Sequence, residues 1–410
     1  MANKTTQYKQ TEIGLIPVEW EVKRLGDYDV TTKIGDGLHG TPNYIFSSEY
    51  YFINGNNLRD HKIEISENTK CITRKEYELL NKKLNDKTLL ISINGTIGSL
   101  AFYKNEKVAL GKSVAYINFT NLELLKFSTL YFQSEKVHLY FENELTGSTI
   151  RNLSLKSIRE LQLPIPPLPE QQRIATILST WDDAIDKTKK IIAALVVRNK
   201  GLAQRLLSGK KRGKGFEESK WELLPINKIA KEVSKKNNTD KALIVLSCTK
   251  YLGLIPSLEY FGRKIYSDNL TTYKIVEKNH FAYATNHIEE GSIGYQSKYE
   301  EALISPMYTV FKTIESINDD FLFRILKSHI YINQYQQRME GSIDRRGGLR
   351  WDEFSKIKVP IISSEEQRSI SIILDNATLE LKQTQQKLAQ LQVQKKGLMQ
   401  VLLTGKVRTV

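Results

Sequence analysis

The sequence predicts an α+β fold built as a tandem duplication, in which a mixed α/β domain followed by a long helix occurs twice and the two helices pair as a coiled coil. Three observations predict it. A decapeptide recurs near the end of each half, an apolar seam of heptad spacing runs up to each copy, and the rest of each half alternates short strand-like runs with turn residues.

The repeat comes first. Gly-Leu-Ala-Gln-Arg-Leu-Leu-Ser-Gly-Lys at 201–210 returns as Gly-Leu-Met-Gln-Val-Leu-Leu-Thr-Gly-Lys at 397–406, identical at seven positions with an offset of 196. Upstream, Leu163 to Arg173 returns as Val359 to Arg368, and Asn94–Gly98 is echoed by Glu290–Gly294. Trp20-Glu21 and Trp221-Glu222 open the two halves. An ordered series at nearly constant offset implies duplication. It divides the chain into a first domain (1–162), a helix with a basic linker (163–214), a second domain (215–358) and a second helix (359–410).

Within the domains, Thr88–Ile93 and Ala242–Ser247 are typical strand-like runs. The helices are read from their seams. Ile174, Leu178, Trp181, Ile185, Thr188, Ile192, Leu195, Asn199, Leu202 and Leu206 step alternately by four and three. Ile370, Ile373, Ala377, Leu381, Thr384, Leu388, Leu391, Lys395, Leu398 and Leu402 nearly match them, with one irregular step early. A stripe this narrow suits one partner helix, and the two stripes are equal in length and pattern. Packing onto the chain's own domain is the alternative cover. Leu163 to Pro169 is expected to be a stiff lead-in, with Glu170 in the first helical turn.

The chain of 410 residues carries a net charge of +14, which calls for a polyanionic partner. A membrane is disfavoured, because apolar runs such as Ile191–Val197 fall far short of the roughly 20 residues a spanning helix needs. The N-terminal stretch is polar, with no signal-peptide core. Cys71 and Cys248 stand alone, which excludes a disulfide framework and fits a cytoplasmic setting.

Leu163-Pro164-Ile165-Pro166-Pro167-Leu168-Pro169-Glu170-Gln171-Gln172-Arg173-Ile174-Ala175, the run Gly397-Leu398-Met399-Gln400 to Leu403-Thr404-Gly405-Lys406, and the duplication together resemble the specificity subunit of type I restriction-modification systems over essentially the whole chain. The resemblance implies two target-recognition domains spaced by an antiparallel coiled coil, a non-catalytic role on double-stranded DNA, and docking of two modification (methyltransferase) subunits and of restriction (ATP-dependent translocase and nuclease) subunits. S-adenosylmethionine and ATP would then belong to those partners, and no cofactor is expected on this chain. Ser363-Ser364 replaces the proline-rich lead-in of the first half, which leaves the geometry there open. From Ile174 to Leu206 an α-helix rises about 48 Å, enough to hold two domains about one 34–36 Å DNA turn or more apart. The dissimilar domains should read an asymmetric bipartite target.

Candidate DNA contacts come from turn chemistry. Gly35-Asp36-Gly37-Leu38-His39-Gly40-Thr41-Pro42 offers backbone N–H groups to phosphates, and Lys33, Asp36, Gly37, His39 and Thr41 are its candidates; a purely structural turn is the rival reading. The Gly/Arg loops 147–152 and 341–350 supply Thr149, Arg151, Asn152, Arg345, Arg346 and Arg350, whose guanidinium forks suit guanine edges. Asn94, Thr96, Asn286 and Ser292 lie in turns between predicted strands. Residues 187–214 hold ten Lys or Arg and no acid, and 382–410 are also acid-free, readable either as solvated helix face or as phosphate attraction. No Gly-rich cofactor loop, Asn/Asp-Pro-Pro-Tyr/Phe run or Walker lysine occurs, and the six histidines are scattered, so neither catalysis nor a metal centre is expected. The rival functions are a self-contained DNA-modifying enzyme and a protein-only coiled-coil scaffold.

Overall fold

The computed structural model describes residues 7–146, 151–238, 242–314, 317–340 and 348–409. The chain divides into two compact units, Met1–Lys189 with Gln386–Val410, and Lys190–Gln385.

The first unit centres on an antiparallel sheet of β1 (Thr31–Asp36), β2 (Thr88–Ser92), β3 (Leu100–Phe102) and β4 (Val114–Phe119), in the order β3-β2-β4-β1. Every residue of β2 and β4 is buried, because helices cover one face and a second small sheet lies among the elements of the unit. The helices are α1 (Leu122–Phe132) and α2 (Glu135–Glu144). Asn121 caps α1 by accepting from the Leu124 N–H, and Ser134 caps α2 through the Val137 N–H. Phe119, Phe127, Phe132 and Phe141 fill the core beneath them. The long helix α3 (Leu168–Leu207) starts in this unit.

The second unit repeats the plan. Its sheet holds β5 (Ala230–Val233), β6 (His280–Ala284), β7 (Ile293–Gln296) and β8 (Tyr308–Thr313), ordered β7-β6-β8-β5, and it is followed by α4 (Asp319–Leu326) and α5 (His329–Glu340). The second long helix is α6 (Ser364–Leu402). The two sheets share strand order and direction, so duplication of sequence is duplication of fold.

Both long helices contribute to each unit. Ile174 and Leu178 of α3 and Met399 and Leu402 of α6 belong to the core of the first unit, as Leu206 and Leu207 of α3 and Ile370 and Leu374 of α6 do in the second. In the first unit the Lys395 amine lies 2.6 Å from an Asp182 carboxylate oxygen, and Arg408, just past α6, bonds Glu170 at the start of α3. In the second, Asn199 donates to the Ala377 carbonyl at 2.7 Å while Arg212 bonds Glu366. Rising numbers on one helix meet falling numbers on the other, so the pairing is antiparallel in both units.

Ile174, Leu178, Ile185, Leu195, Leu206 and Leu402 are buried, and Trp181, Ile192, Leu202, Leu381, Leu388, Leu391 and Leu398 are partly so. The expected irregular step at Ile373 needs correction. Leu374 is buried and Ile373 only partly, which restores the spacing 370, 374, 377, 381 and matches 174, 178, 181, 185. The two covers weighed for the seams are both used, because their ends enter the domain cores while the helices also bond each other.

The lead-in to each helix is a short strand. Gln162–Ile165 pairs with Glu21–Arg24, and Lys358–Ile361 pairs with Glu222–Pro225. Where the second half lacks prolines, the Ser363 hydroxyl accepts from the Glu366 N–H as a helix cap, so a different residue starts the helix at the corresponding place.

Candidate nucleic-acid interface

In the first unit, five segments meet at the end of the sheet where β1 and β2 finish and β4 begins. The Ile93 N–H donates to the Ser113 carbonyl at 2.9 Å, and the Leu153 N–H donates to the Ile93 carbonyl at 3.0 Å. The Gly55 N–H bonds the Ser113 hydroxyl at 2.9 Å, which in turn donates to the Asn54 side-chain oxygen at 3.0 Å. The Thr96 hydroxyl donates to the Gly55 carbonyl at 3.1 Å, and the Leu38 N–H to the Leu110 carbonyl at 2.7 Å. Two glycines are required by this crowding. A Cβ on Gly37 would stand 2.1 Å from the Leu110 carbonyl oxygen, and one on Gly55 would stand 2.1 Å from the Ser92 hydroxyl oxygen.

This end gathers most of the residues expected in the first unit. Asn94 forms an antiparallel bridge with Asn152, and its side-chain oxygen is buried without a hydrogen-bond partner. Asp36 and His39 face one another, with 2.6 Å between Oδ2 and Nε2, so they act as a pair rather than as two separate contacts. Thr41 is exposed. Gly37 is buried and offers only backbone, with its N–H already given to the Val114 carbonyl. Arg151 is exposed beside Glu142 at 3.4 Å, a surface pair weak enough to exchange for a phosphate. Lys33 sits further back on β1, exposed and opposite Asn118. Thr149 lies outside the described residues. Sequence reasoning missed Asn54-Gly55-Asn56-Asn57 and Gly111-Lys112-Ser113, although the Asn/Gly cluster is a recognisable turn signal.

The second unit builds the same end differently. The Leu349 N–H donates to the Thr285 carbonyl at 2.9 Å, as Leu153 does to Ile93, and the Thr285 hydroxyl donates to the Met307 carbonyl at 3.1 Å. Asn286 stands two residues past β6 as Asn94 stands two past β2, so these asparagines correspond. The peptide echo of Asn94–Gly98 by Glu290–Gly294 is not a structural match. Strand register pairs Leu100 with Ile91 and Ile293 with Tyr283, which leaves Gly98 in a turn and Gly294 inside β7. Gly348 packs so closely that a Cβ would be 2.4 Å from the Asn286 side-chain oxygen. Arg350 follows, exposed, at the N-terminus of a short helix, while Arg345 and Arg346 lie outside the described residues. Ser292 is buried in its turn, its carbonyl accepting from the Ala284 N–H.

Beside this end a cavity of about 260 Å³ is lined by Ser247, Tyr266, Tyr273, Thr285, Asn286 and Tyr308, among others. Burial pushes the Tyr308 phenol above its usual range, so it remains protonated and able to donate. His287, Glu289 and Glu290 hold their ligand-capable atoms within 4.8 Å of one another on the adjoining turn, an arrangement common on exposed acidic turns without an ion.

Several cations in the acid-free runs are engaged within the protein. Arg198 meets Glu380 and Lys396 meets Glu135, beyond the bonds of Arg212, Lys395 and Arg408 already described. Exposed Lys112, Arg151 and Arg350 stand at the sheet ends, where amides and hydroxyls suit base edges and cations suit phosphates. Among the described residues no helix is long and apolar enough to cross a membrane.

Comparison with known proteins agrees with this architecture. Residues 17–196 match the type I restriction modification DNA specificity domain. The chain is 24% identical to the type I restriction enzyme MjaVIII specificity subunit of Methanocaldococcus jannaschii, across 99% of this chain and 97% of that protein. The HsdS subunit of Thermoanaerobacter tengcongensis superposes with a TM-score of 0.54 at 14% identity, covering 96% of this chain and 98% of that one. A chain from a structural study of complex assembly and conformational transition of the type I R-M system gives 0.60 at 12% identity, covering 96% and 99%. At these identities the superpositions speak for the fold, and the sequence matches speak for the family. Residues 17–196 thus match a type I restriction modification DNA specificity domain, and along nearly its whole length the chain is similar to the specificity subunits of type I restriction enzymes.

Proposed function

We propose that the chain reads an asymmetric, two-part double-stranded DNA target, with residues 1–162 and 215–358 as its target-recognition domains. One observation carries this reading. The same sheet end is built twice, and each copy presents a different set of polar side chains. A shared strand order puts loops at corresponding sheet ends, while unlike residues (Asp36, His39, Asn94 and Thr96 in one, Asn286, His287 and Arg350 in the other) select unlike bases. Of the Gly/Arg-loop candidates, Arg151, Asn152 and Arg350 belong to the same surfaces. Loops 54–57 and 111–113 are added to them.

In this reading the paired helices set the length of unread DNA between the half-sites. They also offer the docking surface for two modification subunits and for the restriction subunits, which perform methylation and cleavage. Methylation-aware sequencing of DNA from cells carrying the system tests it directly. A motif with two unlike half-sites and a fixed gap is expected, and a continuous motif, or none that depends on this chain, would overturn it.

A further inference from the structure

The duplication makes the two helices alike enough to pair with copies of themselves, and one seam position argues against that. Positions 199 and 395 are equivalent, yet one is Asn and the other Lys. In the first unit Lys395 is 8% exposed, with its amine 2.6 Å from Asp182 and 3.4 Å from the Gln133 side-chain oxygen. In the second unit the residue at the corresponding seam place is Asn199, whose amide donates to the Ala377 carbonyl. The residues that answer to Asp182 and Gln133 there are Thr378 and Lys327, and both line one cavity with Asn199. The second correspondence rests on the helix pairs, because Gln133-Ser134 joins α1 to α2 as Lys327-Ser328 joins α4 to α5. The Lys327 amine already donates to the carbonyls of Thr249, Gly291 and Ile293, and so offers no acceptor.

We propose that Lys395 is a pairing key: it directs the C-terminal half of α6 to the first unit and forbids a second copy of the second half from taking that place. In a self-pair of second halves, each Lys395 would be buried against Thr378 and Lys327, with a second ammonium beside it and no acid at the place of Asp182; the carboxylate that borders the site, Glu380, is half exposed and lies on the side where Arg198 pairs with it. A buried cation without a partner is among the costliest errors in a protein interior. The terminal clamps supply no such discrimination. Glu170 with Arg408 and Glu366 with Arg212 use the same residue types, so their partners are interchangeable. The choice of partner therefore rests on the seam.

Two experiments on the complete protein test this. In the first, a protease site placed in the 210–214 linker is cut in the folded chain, and the cut chain is mixed with an isotope-labelled copy, unfolded, refolded and weighed by native mass spectrometry. Second-half self-pairs are expected at least about a hundredfold below their random share, and they should appear with Lys395→Asn. Self-pairs at the random share in the unmodified protein, or none with Lys395→Asn, would overturn the proposal. In the second, the uncut chain carries Asn199→Lys, which should remove hydrogen-exchange protection from the second unit. Adding Thr378→Asp and Lys327→Gln transplants the surroundings of Lys395 and should restore that protection. An Asn199→Lys variant as protected as the parent, or one that the added pair leaves unprotected, would count equally against it.

Discussion

Replacing Arg408 with Met should loosen the first unit and leave the second nearly untouched. The Glu170 side chain is fully buried and takes hydrogen bonds from the Arg408 guanidinium at 2.8 and 2.9 Å, the Trp20 indole at 2.9 Å and the Thr409 N–H at 3.4 Å. Met fills much of the space of the arginine stem and removes the charge, leaving a buried carboxylate with two neutral donors. Breaking such a pair from one side costs about 3–5 kcal/mol. In a unit of roughly 210 residues each kcal/mol lowers Tm by about 2–4 °C, so a fall of about 6–20 °C is expected. Calorimetry with hydrogen exchange resolved along the intact chain measures it, because a two-unit protein has no single unfolding free energy. Adding Glu170→Gln should recover part of the loss, since the amide carries no charge to desolvate. Arg212→Met should mirror the effect in the second unit, where Glu366 is equally buried. A shift under about 2 °C, or equal losses in both units, would refute the account of the clamps.

Other expectations follow from the same geometry. Arg350→Ala should relax reading at one half-site only, by about 1–3 kcal/mol or roughly tenfold to a hundredfold in discrimination; methylome sequencing with both half-sites unchanged would dismiss the contact. Gly37→Ala must move either β1 or the Leu110 carbonyl, so it should weaken reading at the other half-site and lower the first unit's Tm, whereas Gly95→Ala meets no atom within 4 Å and should cost only about 1 kcal/mol for its left-handed backbone, as thermal denaturation would show. Burial holds the His280 imidazole below its ordinary value of 6.5, and its Nδ1 accepts from the Glu277 N–H, so the neutral ring is the folded form. The stability it contributes is complete above pH 6.5 and is lost as pH falls from there toward the lowered folded value; a pH series of Tm should show this slope, and His280→Gln should flatten it. Inserting seven residues near Leu195 and near Leu391 together adds about 10 Å of helix, so the unread gap should lengthen by about three base pairs, and a gap of unaltered length would exclude the helices as its ruler.

Much of this protein was legible because its information is local or repeated. The heptad spacing of Ile174 to Leu206 and of Ile370 to Leu402 specifies two helices through the period of a helix alone, and the recurrence of 201–210 at 397–406 declares the duplication before any contact is known. Turn chemistry flagged Asn94, Asn152, Asn286 and Arg350, because glycine and asparagine mark places where a chain reverses wherever the fold puts them. Tertiary structure alone decided which turns share a sheet end. Gly55 and Ser113 are far apart in the chain, and only the pairing of β2 with β4 brings their segments beside Asn94. It also decided what each charge faces. The sequence places Lys395 on an apolar seam and Asp182 on the other helix without showing that they meet, because an ion pair across antiparallel helices joins positions 213 residues apart. Periodicity records which side of a helix is apolar, whereas the identity of a charge's partner depends on the crossing of distant segments, which no local pattern encodes.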